Sequence, residues 1–200
     1  MFLFIHRRVS NILIHFCYTV GVTHLESIDP KMLVQRMKLR EGMSVGDVGS
    51  GIGYYALVVA KIVGDEGHVY AIDIQEDVLH RLRHNAQEQH IQNIETIWGD
   101  IEKPFGTKLR DQVFDAVIFS NTLFQLEDTQ TALKELKRIT KIGGTLLLVE
   151  WTPSDSAPGP SLQDSISEET AVALLKEAGF QTQEQFAVGA YHYAIIASAV

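Results

Sequence analysis

Val45-Gly46-Asp47-Val48-Gly49-Ser50-Gly51-Ile52-Gly53 is a short apolar run that breaks into three glycines at alternate positions, and Asp73 follows twenty residues after the last of them. The run has the length of a strand, and an amphipathic helix is expected from Tyr54. His68-Val69-Tyr70-Ala71-Ile72 then reads as a second strand that delivers Asp73 at its C-terminal end. That is a β-α-β unit with glycines in its first turn and a carboxylate after its second strand. Glycines let a backbone approach a ligand that a Cβ would exclude, and a helix N-terminus adds unpaired N–H donors. A carboxylate at this distance can accept hydrogen bonds from both hydroxyls of a ribose. The stretch therefore implies a nucleoside-containing cofactor.

One position separates the candidate nucleosides. A dinucleotide fingerprint, G-x-G-x-x-G, needs its third glycine at 54, where this chain has Tyr54. Here the pattern is G-x-G-x-G running directly into two tyrosines. A pyrophosphate needs an open helix N-terminus, whereas the methionine part of S-adenosylmethionine (SAM) needs only a shorter cradle. A three-glycine turn alone is weak evidence of binding; the strand ending in Asp73 makes it specific.

The rest of the chain repeats the alternation. Ile94–Trp98 reads as a third strand ending in Gly99-Asp100, and Val113–Phe119 as a fourth ending in Ser120-Asn121. Lys141-Ile142-Gly143-Gly144 reads as a turn before a fifth strand, Thr145–Val149, which ends in Glu150-Trp151. Between them, helices are expected from about Tyr54 to Val63, from Gln75 to His90, and from Asp128 to Thr140. A helix over Ser167–Ala178, closed by Gly179, leads to two final strands, Phe180–Val188 and His192–Val200. Short apolar strands alternating with such helices predict an α/β domain whose parallel sheet is covered on both faces.

With these motifs the chain resembles the class I SAM-dependent methyltransferases, and most of all the group related to the ubiquinone/menaquinone-biosynthesis C-methyltransferases. The resemblance runs from about Pro30 to Val200 and is specific for the cofactor, not for the substrate. It implies a Rossmann-like, seven-stranded, mostly parallel sheet of order 3-2-1-4-5-7-6 with an antiparallel last strand. It implies transfer of a methyl group from SAM to a small-molecule acceptor, an aromatic or quinone-like carbon among the candidates, with release of S-adenosylhomocysteine. The alternatives are a non-catalytic SAM-binding regulatory protein and an RNA or protein methyltransferase.

Whole-chain properties narrow these classes. The 200 residues, 46% of them hydrophobic, suffice for one well-buried core. A net charge of -8 is the wrong sign for gripping a phosphate backbone, which argues against nucleic-acid substrates. The single cysteine, Cys17, excludes an intrachain disulfide and any multi-cysteine metal site. It also excludes arsenite as acceptor, because the arsenite methyltransferases of the related group work through several cysteines. No metal spacing stands out; His80 and His84 belong to a solvated helix face. A free thiol in this fold points to the cytoplasm. The apolar runs in residues 1–23 are interrupted by His6-Arg7-Arg8 and are too short to span a bilayer. Residues 1–29 are read as an extension or a lid over the substrate pocket, and residues 30–200 as the catalytic domain. The oligomeric state is left open.

The resemblance also assigns roles. Gly49, Gly51 and Gly53 would line the methionine end of SAM, with Asp47 reaching its amino group. Asp73 would hold the ribose, Ile74 would cover one face of the adenine, and Asp100 would accept from the adenine amino group with Ile101 alongside. Ser120 would face the methionine group or the acceptor. Methyl transfer from a sulfonium is an in-line displacement that depends mainly on positioning, and a base is needed only if the nucleophile must lose a proton. Related C-methyltransferases often carry histidines after the fourth strand, where this chain has Leu123-Phe124-Gln125-Leu126. Asn121 and His192 are the remaining catalytic candidates, and Glu150 and Trp151 are further candidates for the acceptor pocket. A bland role for His192 is a strand histidine hydrogen-bonded in place.

Overall fold

The computed structural model describes residues 29–154 and 159–200. The expected N-terminal extension or lid, residues 1–29, lies outside the described residues except for Asp29, as do residues 155–158.

Helix α1 (Pro30–Arg36) opens with Pro30, which needs no hydrogen-bond acceptor, and with the Asp29 carboxylate accepting from the Lys31 N–H at 2.9 Å. Strand β1 (Ser44–Val48) leads through the glycine turn to α2 (Ala56–Val63) and β2 (His68–Asp73). Helix α2 starts two residues later than expected. Gly53 N–H donates to the Ser50 carbonyl at 3.0 Å, so the turn consumes the chain through Tyr55, and the Asp47 carboxylate takes the Ala56 N–H at 3.0 Å. Helix α3 (Glu76–Glu88) buries Val78, Leu79, Leu82 and Ala86, the face expected from their spacing. Then come β3 (Ile94–Trp98), β4 (Phe114–Ser120), α4 (Thr129–Ile139), β5 (Thr140–Trp151), α5 (Glu168–Glu177), β6 (Phe180–Val188) and β7 (His192–Ala199).

The strands form one sheet of order β3-β2-β1-β4-β5-β7-β6, with β7 antiparallel to both of its neighbours and all other pairs parallel. The expected turn at Lys141–Gly144 is instead part of β5. Thr140 already pairs with Phe114, Gly143 bends the strand at φ 76°, and regular pairing resumes at Thr145 opposite Ala116. A glycine in the left-handed region lets a strand bulge without ending it.

The sheet is buried on both sides, so its central strands carry apolar residues at consecutive positions. On one face Leu33 and Val34 of α1, Ala56, Val59 and Val63 of α2, and Leu82 of α3 pack on Val45, Ile118, Leu147, Val149 and Ile196. On the other, Leu133 and Leu136 of α4 and Leu175 of α5 pack on Val117, Phe119, Leu146, Leu148 and Ile195. This alternation fixes which face each residue at the strand ends belongs to.

Candidate functional site

The sheet order reverses between β1 and β4, and ligands of open α/β sheets collect in the crevice beyond the C-terminal ends of such strands. The glycine turn leaves β1 there and leans on β2. Gly49 and Ser50 N–H groups donate to the Ile72 carbonyl at 2.8 and 3.1 Å, and Gly51 N–H donates to Asp73 Oδ2 at 2.9 Å. Asp73 Oδ1 accepts from Gln75 N–H at 2.9 Å. Each carboxylate oxygen thus carries one backbone N–H. A carboxylate has about four acceptor positions, so with the Ile74 N–H also favouring the charged form, acceptor capacity remains for a ligand hydroxyl. Burial raises the Asp73 carboxyl above the ordinary range, and the Gln75 and Gly51 N–H groups work against that rise.

The three glycines are not equivalent. All have positive φ, but a Cβ on Gly51 would meet nothing within 4 Å. A Cβ on Gly53 would stand 2.6 Å from Leu82 Cγ, and one on Gly49 would strike the Thr122 side chain. Gly53 therefore serves the packing of α3, Gly49 the seating of the chain after β4, and Gly51 alone borders open space.

Asp47 is buried, with Oδ2 on the Ala56 N–H. Burial pushes its carboxyl up to about 7; the Ala56 N–H opposes the shift and the Asp73 charge adds to it. Beside it Tyr55 is buried, and Ser120 Oγ donates to its hydroxyl at a long 3.5 Å. Burial pushes the Tyr55 hydroxyl up to about 12.

On the β2–β3 side Ile74 is partly exposed, and Trp98 Nε1 donates to its carbonyl at 2.9 Å. Trp98 is 46% exposed, and the Lys108 ammonium sits 4.4 Å from its ring centroid. The signal for this indole in the sequence is an aromatic residue immediately before Gly99-Asp100 at a strand end. Asp100 Oδ1 accepts from Glu102 N–H at 3.0 Å, opening a turn. Ile101 is buried in the core, so its side chain serves packing more than a ligand.

The acceptor-side candidates divide between the two faces. Ser120 lies on the α1/α2 face, where Tyr55 meets it. Trp151 and His192 face each other across β5 and β7, with ring centroids 4.0 Å apart. Glu150, expected beside them, points to the opposite face: it is buried, and Oε1 accepts from Leu123 N–H at 2.7 Å. Alternation along β5 separates neighbours 150 and 151. Burial pushes the Glu150 carboxyl up to about 7, against the N–H groups of Leu123, Trp151, Phe124 and Thr122. His192 is pulled down to about 4 by burial alone and is neutral near pH 7.

Three buried side-chain atoms among the described residues have no hydrogen-bond partner: Ser50 Oγ, Asn121 Oδ1 and His192 Nε2. For His192, a candidate acceptor-side residue with a hydrogen-bonded strand histidine as its alternative reading, it is Nε2 that has no partner. All three lie along the edge formed by the C-terminal ends of β1, β4 and β5. An unmet buried polar group costs about 1–3 kcal/mol, so three on one edge make that edge the candidate place for a polar ligand. Open space over Gly51, spare acceptor positions on Asp73 and these orphaned atoms together fit a ligand carrying a ribose and a polar tail.

Comparison with known proteins agrees with this geometry. Residues 39–186 match the family described as methyltransferase domain. The demethylmenaquinone methyltransferase of Listeria welshimeri is 32% identical over 130 residues, covering 64% of this chain and 53% of the relative. That of Geobacillus stearothermophilus is 30% identical over 151 residues, covering 73% and 62%. The chain therefore spans a little over half the length of these curated relatives. A SAM dependent methyltransferase from Aquifex aeolicus matches in structure with a TM-score of 0.81 at 31% identity, covering 88% of this chain and 92% of that one. The [4+2]-cyclase SpnF shares the fold, at TM-score 0.73 and 18% identity over 85% and 80% of the two chains. A glycine turn held to a strand-end aspartate at the switch point of a 3-2-1-4-5-7-6 sheet, with a family match over most of the chain, places this protein in the methyltransferase-domain family.

Proposed function

We propose that this protein transfers a methyl group from SAM to a small-molecule acceptor, releasing S-adenosylhomocysteine. The observation that carries the reading is the Gly51 N–H to Asp73 hydrogen bond beside the open space above Gly51. It joins the glycine turn and the ribose carboxylate into one cradle. SAM supplies an electrophilic methyl on a sulfonium. Asp73 holds the ribose hydroxyls, and Gly51 leaves room for the ligand's approach. Asp47 and the Ser50 hydroxyl face the amino-acid tail; Ile74, Trp98 and Asp100 border the adenine. Gly49, Gly53 and Ile101 keep these groups in place by packing.

Ser120, Asn121 and His192 orient the acceptor. Neutral His192, with Nε2 unpartnered and Trp151 against its ring, suits a hydrogen bond to a polar substituent better than proton abstraction. The relatives named demethylmenaquinone methyltransferases make a quinol ring carbon the first acceptor to try. Residues 1–29 are proposed to cover the acceptor side. Among the described residues no helix is long and apolar enough to cross a membrane; action in the cytoplasm is part of the proposal.

Titration calorimetry with S-adenosylhomocysteine, followed by a screen for its release from SAM across pools of small aromatic acceptors, tests the reading. Binding with turnover supports it. Binding without turnover on any acceptor favours a SAM-sensing module, and absence of binding overturns the cofactor assignment.

A further inference from the structure

Glu150 is buried with only 1% of its surface accessible, yet no cation pairs with it among the described residues. It is satisfied by backbone. Oε1 accepts from Leu123 N–H at 2.7 Å and Oε2 from Trp151 N–H at 3.3 Å, and the Thr122 and Phe124 N–H groups also favour its charged form. Residues Leu123–Gln125 form a single 3-10 turn after β4, so the N–H groups of three successive residues converge on one carboxylate. At the other side of that turn, Thr122 Oγ1 donates to the Ser120 carbonyl at 2.9 Å, and the Thr122 side chain fills the space a Cβ on Gly49 would need. A continuous path runs from Glu150 on β5, through the turn, to the first glycine of the cofactor loop on β1.

The geometry points to Glu150 as a positioning residue that seats the Thr122–Gln125 turn against Gly49, so that cofactor affinity, and not stability alone, depends on it. This rests on the proposed SAM cradle. A carboxyl group fits the task because its two oxygens can accept several N–H groups at once. An apolar residue would pack in its place but leave the turn's N–H groups buried and unmet.

The test uses the full chain and S-adenosylhomocysteine as probe, with calorimetry well below each variant's melting temperature and hydrogen exchange of the backbone amides alongside. Glu150→Ala is expected to weaken binding at least tenfold and to speed exchange at residues 122–125 more than in the central strands. Glu150→Gln keeps one acceptor oxygen and should lose only two- to threefold in affinity, with a smaller rise in exchange at residues 122–125. A structural role alone would lower the melting temperature and leave the affinity of the folded protein unchanged. Should Glu150→Ala fail to fold, Glu150→Gln decides: a two- to threefold loss with faster exchange at the turn supports the assignment. Unchanged affinity and exchange in a folded variant overturn it. An unsubstituted protein that does not bind the probe overturns the SAM cradle instead, and the role of Glu150 toward it.

Discussion

Alanine substitution at the three glycines of the turn should separate a ligand-facing position from two packing positions. All three residues sit at positive φ, 71° for Gly49, 52° for Gly51 and 89° for Gly53, so an alanine at any of them pays about 1–2 kcal/mol for the left-handed conformation. At Gly51 nothing is added, because its Cβ would have no neighbour within 4 Å. At Gly53 the new methyl would lie 2.6 Å from Leu82 Cγ and 2.9 Å from Cδ1, and Leu82 is fully buried and cannot step aside. Overpacking of that kind costs about 1–3 kcal/mol more, giving about 2–5 kcal/mol in all. Gly49→Ala should resemble Gly53→Ala, with the strain falling on Thr122. Affinity should separate the three in the other direction. The Gly51→Ala methyl stands in the space left for the ligand, and a tenfold loss of S-adenosylhomocysteine affinity, about 1.4 kcal/mol, is the least expected. Urea unfolding gives the stabilities and calorimetry the affinities. If Gly51→Ala binds as tightly as the unsubstituted protein, or loses as much stability as Gly53→Ala, the division of roles is wrong.

Further outcomes follow from other parts of the structure. Asp73→Ala removes the acceptor of two charge-assisted ribose bonds at about 1.5–3 kcal/mol each, so affinity for S-adenosylhomocysteine should fall at least thirtyfold; tight NADP binding by the unsubstituted protein would contradict the ribose assignment. Arg138→Ala strips buried Glu135 of a guanidinium bonded to it at 2.7 and 2.8 Å, and should cost about 3 kcal/mol in urea unfolding while leaving cofactor affinity unchanged. Between pH 5 and 6.5 the folded protein holds protons on Asp47 and Glu150, each raised to about 7, that the unfolded chain has released, while His192, lowered to about 4, lacks one that the unfolded chain keeps. The net excess of about one proton in the folded state means stability falls as pH rises, by up to about 1.4 kcal/mol per pH unit. Unfolding free energies that climb across this window would show that the two carboxyls are ionised in the folded protein.

The local structure of the proposed cofactor cradle was legible because it lies in contiguous sequence. Gly49, Gly51, Gly53 and Asp73 belong to one β-α-β unit, and the loop geometry that makes them useful follows from local conformation. The helix faces were equally legible: Val78, Leu79, Leu82 and Ala86 are buried as their spacing requires. Sequence failed where tertiary packing decides. Helix α2 starts late because Asp47, nine residues earlier, claims its first N–H, and β5 runs through Gly143 because Thr140 finds Phe114. No local pattern in Gly53 separates a ligand contact from contact with Leu82, which arrives from another helix.

The acceptor half is different in kind. The residues proposed for it come from the ends of β4, β5 and β7, and only register and facing say which of them share a surface. Glu150 and Trp151 are adjacent in sequence, yet pleating sends one beneath the Leu123 turn and the other against His192. A reading that gathers polar residues by sequence proximity will merge a residue that shapes the backbone with residues that could touch an acceptor. The strand-end alternation could have separated them, had the core pattern of Leu146–Val149 been extended two residues further. It could not have named the acceptor. The same sheet supports a cyclase in SpnF at 18% identity, so the reaction is set by the side chains mounted on the strand ends and not by the sheet. The side chains proposed for that role here are a neutral histidine whose Nε2 has no partner among the described residues and whose ring is tilted against an indole, and an asparagine whose buried oxygen also lacks a partner. Both can hold a polar group in line with a methyl donor; neither is a strong base. An acceptor whose carbon is already nucleophilic, such as an electron-rich hydroxylated ring, needs positioning more than deprotonation, and under the proposed function it is the acceptor class to test first.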